Sequence, residues 1–343
     1  MKLLRFLLFP FAVLYDVITR VRNWFFTIGI LKSTSFEIPV IAVGNLSVGG
    51  TGKSPQIEYL IRLLNDKYRM AVLSRGYKRK TEGFQLVNDT HTAEDVGDEP
   101  LQFYKKFKKV ITVAVDADRT NGIQQLLQQN NPPEVVLLDD AYQHRKVTAS
   151  SYILLTKYND LFVDDFVLPT GNLRESRRGA KRATMIVVTK CPENLSKAEQ
   201  EKIVRKLNPK SYQKVFFTTI AYDESLKGTN ELTIDDLQDK EALLITGIAN
   251  PTPLLNFLKE KKVSFKHLNF PDHHNFTQQD ILKIEKAFNE LPSEQKIMLT
   301  TEKDYMRLEG KVNPLNYISI KSHFISEEKA FNSLVLNEIK KVN

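Results

Sequence analysis

From Ile38 onward, short runs of aliphatic and β-branched residues alternate with stretches of helical periodicity. The apolar runs fall at 38–43, 70–73, 110–115, 135–138, 152–156 and 185–189, and helical patterns start at Ser54 and Asp98 and cover 118–129. Such alternation predicts right-handed crossovers and a mostly parallel sheet covered by helices on both faces. A further run at 215–222 is followed by a polar stretch, 223–230, and then by a second set of strand–helix units with apolar runs at 243–245, 265–270 and 297–299. This predicts a smaller α/β domain. The run at 317–320 is expected to pair with 215–222, and a last helix from Ser326 is expected to return to the first domain. The resulting division is an N-terminal segment 1–35, a first domain 36–222, a smaller domain 223–315, and a returning strand and helix 316–343.

The N-terminal segment has a different pattern. It is rich in Phe, Leu and Ile, but its longest uncharged run, Phe6 to Tyr15, would rise only about 15 Å as a helix, half of a ~30 Å hydrocarbon core. No small-residue cleavage site follows it, so it does not read as a secretory signal. Lys2, Arg5, Arg20, Arg22 and Lys32 stand against Asp16 alone, beside Phe, Leu and Trp24. That composition suits a helix lying in the headgroup region of a membrane, with a core-packing helix as the competing expectation.

Composition changes this picture little and charge sharpens it. The chain has 343 residues, 42% hydrophobic and 26% charged, enough for two packed α/β domains. A net charge of +8 admits nucleic acid, an anionic membrane or a phosphorylated substrate as partner. Half of that excess lies in the amphipathic start, and no basic stripe interleaved with aromatics argues for nucleic acid. Cys191 is the single cysteine, which excludes an internal disulfide framework and a cysteine-rich zinc site.

Candidate chemistry gathers after the predicted strands, where ligands of open α/β sheets bind. The stretch G-N-L-S-V-G-G-T-G-K-S, 44–54, is a strand, a glycine-rich loop and a helix start. In it, Ser47, Val48, Gly49, Gly50, Thr51 and Gly52 would turn backbone N–H groups toward phosphates, Lys53 would reach the β/γ oxygens, and Ser54 would ligate Mg²⁺. The usual spacing wants glycine where Ser47 stands. Asp139-Asp140 after V-V-L-L occupies the place of a metal-holding acidic pair. The cluster Ala141-Tyr142-Gln143-His144-Arg145 behind it is expected to shape the site. Gly97-Asp98-Glu99-Pro100 opens a helix, where Asp98 can serve as a helix cap or as the acceptor of a hydroxyl proton. Arg174, Arg177, Arg178, Lys181 and Arg182 would attract a phosphorylated substrate or form a solvated loop. Thr189-Lys190-Cys191-Pro192 is similar to the base-reading motif of GTPases, but its aspartate is missing, so guanine specificity is not inferred. His273-His274 lacks metal-binding spacing, and one of the pair either hydrogen-bonds a catalytic carboxylate or is a satisfied loop histidine.

Taken in order, G-N-L-S-V-G-G-T-G-K-S-P, S-R-G-Y, G-D-E-P, D-A-D-R, L-D-D-A-Y-Q-H, L-P-T-G-N-L-R-E, F-P-D-H-H-N-F and T-E-K-D resemble the tetraacyldisaccharide 4′-kinase family of lipid A biosynthesis over residues 1–310. Ser47 suits that family's form of the loop. Ala141-Tyr142 stands where many members carry glycine and a bulky apolar residue, and Ser54 where threonine is more frequent. The resemblance implies a P-loop kinase domain at 36–222 and transfer of the ATP γ-phosphate to the 4′-hydroxyl of a tetraacylated glucosamine disaccharide 1-phosphate, a lipid A precursor. It places the chain peripherally on the cytoplasmic face of the bacterial inner membrane, with no obligate protein partner inferred. By position, Lys53 and Ser54 serve ATP and Mg²⁺, Asp139 and Asp140 form the second acidic motif, and Glu99 contacts the metal. Asp98 resembles the catalytic base, His273 the histidine that tunes it, and Arg119 and Arg174 arginines near the phosphates. Domain closure is expected to assemble the Asp98–His273 dyad. The alternative is a membrane-docked P-loop NTPase that acts as a switch or loads a cofactor, or an adaptor without turnover.

Overall fold

The computed structural model describes residues 5–342, so the first four residues of the amphipathic segment, Lys2 among them, lie outside it. Helix α1, Phe9–Thr27, precedes a nine-stranded sheet. In chain order the elements are β1 Val40–Asn45, α2 Lys53–Leu64, β2 Met70–Ser74, β3 Gln85–Leu86, α3 Ala93–Val96, α4 Asp98–Phe107, β4 Ile111–Val115, α5 Arg119–Leu127 and β5 Val135–Asp139. They continue with β6 Ser151–Lys157, β7 Met185–Thr189, α6 Lys197–Leu207 and β8 Lys214–Tyr222. The second part comprises β9 Ser225–Gly228, β10 Leu232–Thr233, β11 Glu241–Thr246, α7 Thr252–Glu260, β12 Ser264–Asn269, α8 Gln278–Asn289, β13 Lys296–Thr301, α9 Glu302–Leu308 and β14 Asn316–Ile318. The chain then returns through β15 Ile320–Phe324 and α10 Glu328–Lys340.

The large sheet has the order β15-β8-β7-β6-β1-β5-β2-β4-β3. Its strands run parallel except for the two edges, β3 and β15, which pair antiparallel with β4 and β8. Strands β1, β2, β5 and β7 are buried along their whole length because helices cover both faces, which explains why they read as unbroken apolar runs. Strand β1 lies between β5 and β6, so the glycine-rich loop opens at the middle of the sheet's carboxyl edge. The six-stranded sheet, β10-β9-β14-β13-β11-β12, is also mainly parallel.

Two chain crossings join the sheets. The pairing expected between the late strand and 215–222 occurs, but through Ile320–Phe324, whereas Asn316–Ile318 pair with β13 and β9 in the smaller sheet. Phe331, Val335 and Ile339 of α10 are fully buried in the core of the large sheet, together with Ile57 and Ile61 of α2. The late chain thus clamps the helix that follows the glycine-rich loop. A second tie lies beside it. Lys106 Nζ of α4 is 2.7 Å from Glu58 of α2 and 2.9 Å from Glu302, the first residue of α9. Glu58 also accepts hydrogen bonds from Gln102 (2.9 Å) and Arg62 (2.8 Å). Burial, and then the Glu58 charge, push the Glu302 carboxyl upward. One lysine therefore serves two buried carboxylates across the junction of the two sheets.

Candidate active site

The glycine-rich loop is held open by its neighbours. Asn45 Nδ2 donates to the Ser47 carbonyl (2.7 Å), the Val48 N–H donates to the Asn172 carbonyl (2.8 Å), and Thr189 Oγ1 donates to the Thr51 carbonyl (2.8 Å). Gly52 precedes α2 with φ +85°, a conformation that a side chain would strain, so Lys53 and Ser54 fall on the first turn of the helix. Gly49 is also left-handed at φ +97°, and the buried Thr51 hydroxyl has no hydrogen-bond partner. A concave run of turned backbone with an unsatisfied hydroxyl and a helix N-terminus fits a nucleotide's phosphates.

The acidic pair sits beside this loop. Asp139, at the end of β5, is buried and accepts from Ser74 Oγ at 3.0 Å. Its carboxyl is pushed up to about 6 by burial and then by the Asp140 charge, with Glu99 adding to the effect. Asp140 takes φ +48° and pairs with Lys53 (3.6 Å) and Arg174 (3.1 Å). Burial raises its carboxyl, but the Lys53 and Arg174 charges outweigh that and hold it below the ordinary value. Among the described residues there is no cluster of three or more His, Cys, Asp or Glu fit to hold a metal by itself. Asp139, Asp140 and the Ser54 hydroxyl are instead oxygen donors of the kind that Mg²⁺ takes when phosphates and water complete its shell. Glu99 projects its charge toward Asp139 but its carboxylate lies 3.6 Å from Lys303 Nζ.

Arg119, expected near the phosphates, lies against the backbone of the acidic pair. It is almost fully buried, and its guanidinium donates to the carbonyls of Asp116 (3.1 Å), Ala117 (3.3 Å) and Asp139 (3.3 Å). Burial draws it down to about 10. It braces the backbone of the acidic pair from beneath. The basic loop is likewise divided. Arg182 forks onto Glu175 (2.7 and 3.0 Å) and lies over the Tyr142 ring, whose hydroxyl donates to the Gly179 carbonyl. Gln143 Nε2 bridges the Asn45 carbonyl (2.9 Å) and Glu175 (3.1 Å). These contacts make Tyr142, Gln143, Glu175 and Arg182 a frame that carries Arg174 to the site.

The Asp98–His273 dyad is already formed across the cleft. Gly97 adopts φ +94° and a Cβ there would meet Gly76 Cα at 3.2 Å, so only glycine lets α4 begin here. His273, itself at φ +57°, places Nδ1 3.1 Å from Asp98 Oδ2, and Lys303 Nζ is 2.8 Å from Nε2. An ammonium only donates, so Nε2 accepts and Nδ1 carries the proton donated to Asp98. Arg307 Nε is 3.6 Å from Asp98 Oδ1. Burial raises the Asp98 carboxyl, but the His273 hydrogen bond and the Arg307 and Lys303 charges prevail and hold it below its ordinary value. The carboxylate is thus an ionised proton acceptor at neutral pH. His274 faces away, bonded to Asp280 (2.9 Å) and stacked on Phe270. A cavity of about 370 Å³, lined by Tyr77, Lys78, Asp98, His273 and Arg307 among others, opens beside the dyad.

Helix α1 meets this site on its polar side. Tyr15 donates to the Arg174 carbonyl (2.9 Å), Asn23 to Glu175 (2.9 Å), and Arg145 donates to the Asn23 carbonyl (2.7 Å). Its only buried residue is Ala12, while Phe11, Leu14, Ile18 and Trp24 are exposed. The core-packing expectation is therefore overturned. No helix among the described residues is long and apolar enough to cross a membrane.

The family model for tetraacyldisaccharide-1-P 4′-kinase matches residues 4–340. The chain belongs to that family. A tetraacyldisaccharide 4′-kinase of Flavobacterium johnsoniae is 56% identical over 343 residues, covering 99% of this chain and 98% of the relative. One of Bacteroides thetaiotaomicron is 46% identical, covering 88% and 82%. A crystal structure of LpxK from Aquifex aeolicus in complex with ATP superposes with a TM-score of 0.79 at 31% identity, covering 98% of this chain and 99% of that one.

Within this family frame, Lys303 and Arg307 are the site residues to which sequence reasoning gave no role. T-E-K-D was visible as a motif, but nothing in it says that its lysine reaches His273 from the first turn of α9. Ser74 was visible only as the first residue of the S-R-G-Y motif.

Proposed function

We propose that this protein transfers the γ-phosphate of Mg-ATP to the 4′-hydroxyl of a tetraacylated glucosamine disaccharide 1-phosphate. Family membership supports the substrate. The observation that carries the mechanism is the 3.1 Å contact between Asp98 and His273, backed by Lys303. Asp98, kept ionised, takes the proton of the attacking hydroxyl, and His273 fixes the carboxylate's orientation through its Nδ1–H. The loop N–H groups hold the α- and β-phosphates and Lys53 the β- and γ-phosphates, with Arg174 beside Lys53 through Asp140. Ser54, Asp139 and Asp140 would hold Mg²⁺, which neutralises charge on the phosphate oxygens. With γ-labelled ATP and the lipid disaccharide monophosphate in detergent, label is expected in the lipid. Label released only as free phosphate would favour the NTPase reading, and no turnover the adaptor.

We further infer that α1 lies on the cytoplasmic leaflet of the inner membrane. Phe11, Leu14, Ile18 and Trp24 present an exposed apolar surface larger than a water-facing helix requires, while the opposite side hydrogen-bonds the loop at 174–175. A lipid held at α1 would then lie next to Arg174. Replacing Leu14 and Ile18 together with glutamate should reduce flotation with anionic vesicles at least tenfold, since each loses about 1.5–3 kcal/mol of apolar burial. Unchanged flotation would contradict the assignment.

A further inference from the structure

Of the T-K-C-P motif only Thr189 has a part in the site described above, yet Lys190 beside it also lies against the glycine-rich loop. Thr189 ends β7 and pins the Thr51 carbonyl at 2.8 Å. Lys190 follows with φ +58°, a left-handed conformation that a non-glycine residue adopts only when its surroundings impose it. This turn carries its ammonium over the loop, where Nζ is the only atom that a Cβ built on Gly50 would meet, at 3.9 Å.

The charges around Lys190 are of its own sign. Lys157, ending β6, is paired with Asp160 at 2.7 Å, and Lys53 with Asp140 at 3.6 Å. Among the described residues Lys190 has no ion pair and no side-chain hydrogen bond. The residue as a whole is exposed, but desolvation of its ammonium against the loop, then repulsion by Lys157 and Lys53, lower its affinity for a proton. A solvent-accessible cation beside two others, with no carboxylate to answer it, is placed for an anion that comes from outside the chain.

We propose that Lys190 is a nucleotide-binding residue whose ammonium contacts the α/β-phosphates of ATP above Gly50, contributing ground-state affinity rather than transfer. This rests on the phosphate-loop reading and extends it to a residue outside the loop. In phosphate-loop proteins the backbone of this loop cradles the α- and β-phosphates while the loop lysine serves the β- and γ-phosphates, so Lys53 and Lys190 divide the chain between them. The residue acts on a part of the nucleotide that ADP shares with ATP.

Calorimetric titration of the full-length protein with Mg-ATP and with Mg-ADP, without lipid, tests this. Lys190→Ala is expected to weaken both nucleotides about tenfold or more, Lys190→Arg to retain most of the affinity, and kcat at saturating ATP to change less than threefold. Equal affinity of wild type and Lys190→Ala, or a loss confined to ATP, would overturn the proposal. If the wild-type protein bound neither nucleotide, the phosphate-loop reading itself would fail, and this inference with it. Unchanged circular dichroism and thermal midpoint for Lys190→Ala would separate a lost contact from a misfolded variant.

Discussion

Asp98→Asn is expected to lower kcat by about 10²–10⁴-fold, the usual contribution of a positioned general base, while Mg-ATP binds as it does to wild type. The substitution keeps the side chain's shape. Its amide oxygen can still accept the Nδ1–H of His273, so the 3.1 Å contact and the start of α4 survive. What is lost is a carboxylate that His273, Arg307 and Lys303 together hold ionised in a setting where burial opposes charge. Binding is spared because the carboxylates that Lys53 acts on are Asp139 and Asp140, with Asp140 paired to it at 3.6 Å. Steady-state rates paired with nucleotide titration check this. Near-wild-type turnover would remove Asp98 from the base role, and loss of Mg-ATP binding would move it into the metal set.

Lys106→Met should cost about 3–5 kcal/mol of folding stability, the range for removing one partner of a buried ion pair. Lys106 is the shared cation of Glu58 and Glu302, and all three side chains are at least nine-tenths buried. Glu58 keeps its bonds to Arg62 and Gln102, so Glu302 bears most of the loss. Its carboxyl is already pushed up by burial and by Glu58, and without Lys106 it rises further. A carboxyl with a raised folded pKa destabilises the fold when ionised, so the deficit is full above the folded pKa. It shrinks as pH falls toward the unfolded glutamate value of about 4.3. Adding Glu302→Gln to Lys106→Met should recover much of the deficit in urea unfolding followed by circular dichroism. A deficit below about 1 kcal/mol at pH 7 would show that the triad does not tie α2 to α9.

The parallel sheet and the loop were legible because they rest on local signals: unbroken apolar strands, glycines at turning positions, and a Lys-Ser helix start. The dyad was legible only through family resemblance. Asp98 and His273 are 175 residues apart, and no spacing rule connects them. Lobe closure was expected to bring them together, whereas the folded chain already holds them in contact. Which groups Arg119 touches was not legible, because D-A-D-R looks the same whether its arginine faces a phosphate or the Asp139 carbonyl it contacts here. The return strand was misregistered for a similar reason. Alternation continues from Asn316 through Phe324, so nothing marks the buried Ser319 as the place where the chain leaves one sheet for the other. The histidine pair was resolved by packing, with His274 committed to Asp280 and Phe270 and His273 turned toward Asp98.

The central claim is that this cleft moves a phosphate onto a lipid hydroxyl instead of releasing it to water. The direct measurement is the position of the new phosphate after incubation of the full chain with Mg-ATP and the tetraacylated disaccharide 1-phosphate in detergent micelles, read by phosphorus–proton correlation NMR of the extracted lipid. The account predicts a second phosphomonoester coupled to the proton on the 4′ carbon, formed by wild type and nearly absent with Asp98→Asn. ATP consumption with no new lipid phosphate, or a phosphate on another hydroxyl, would contradict it.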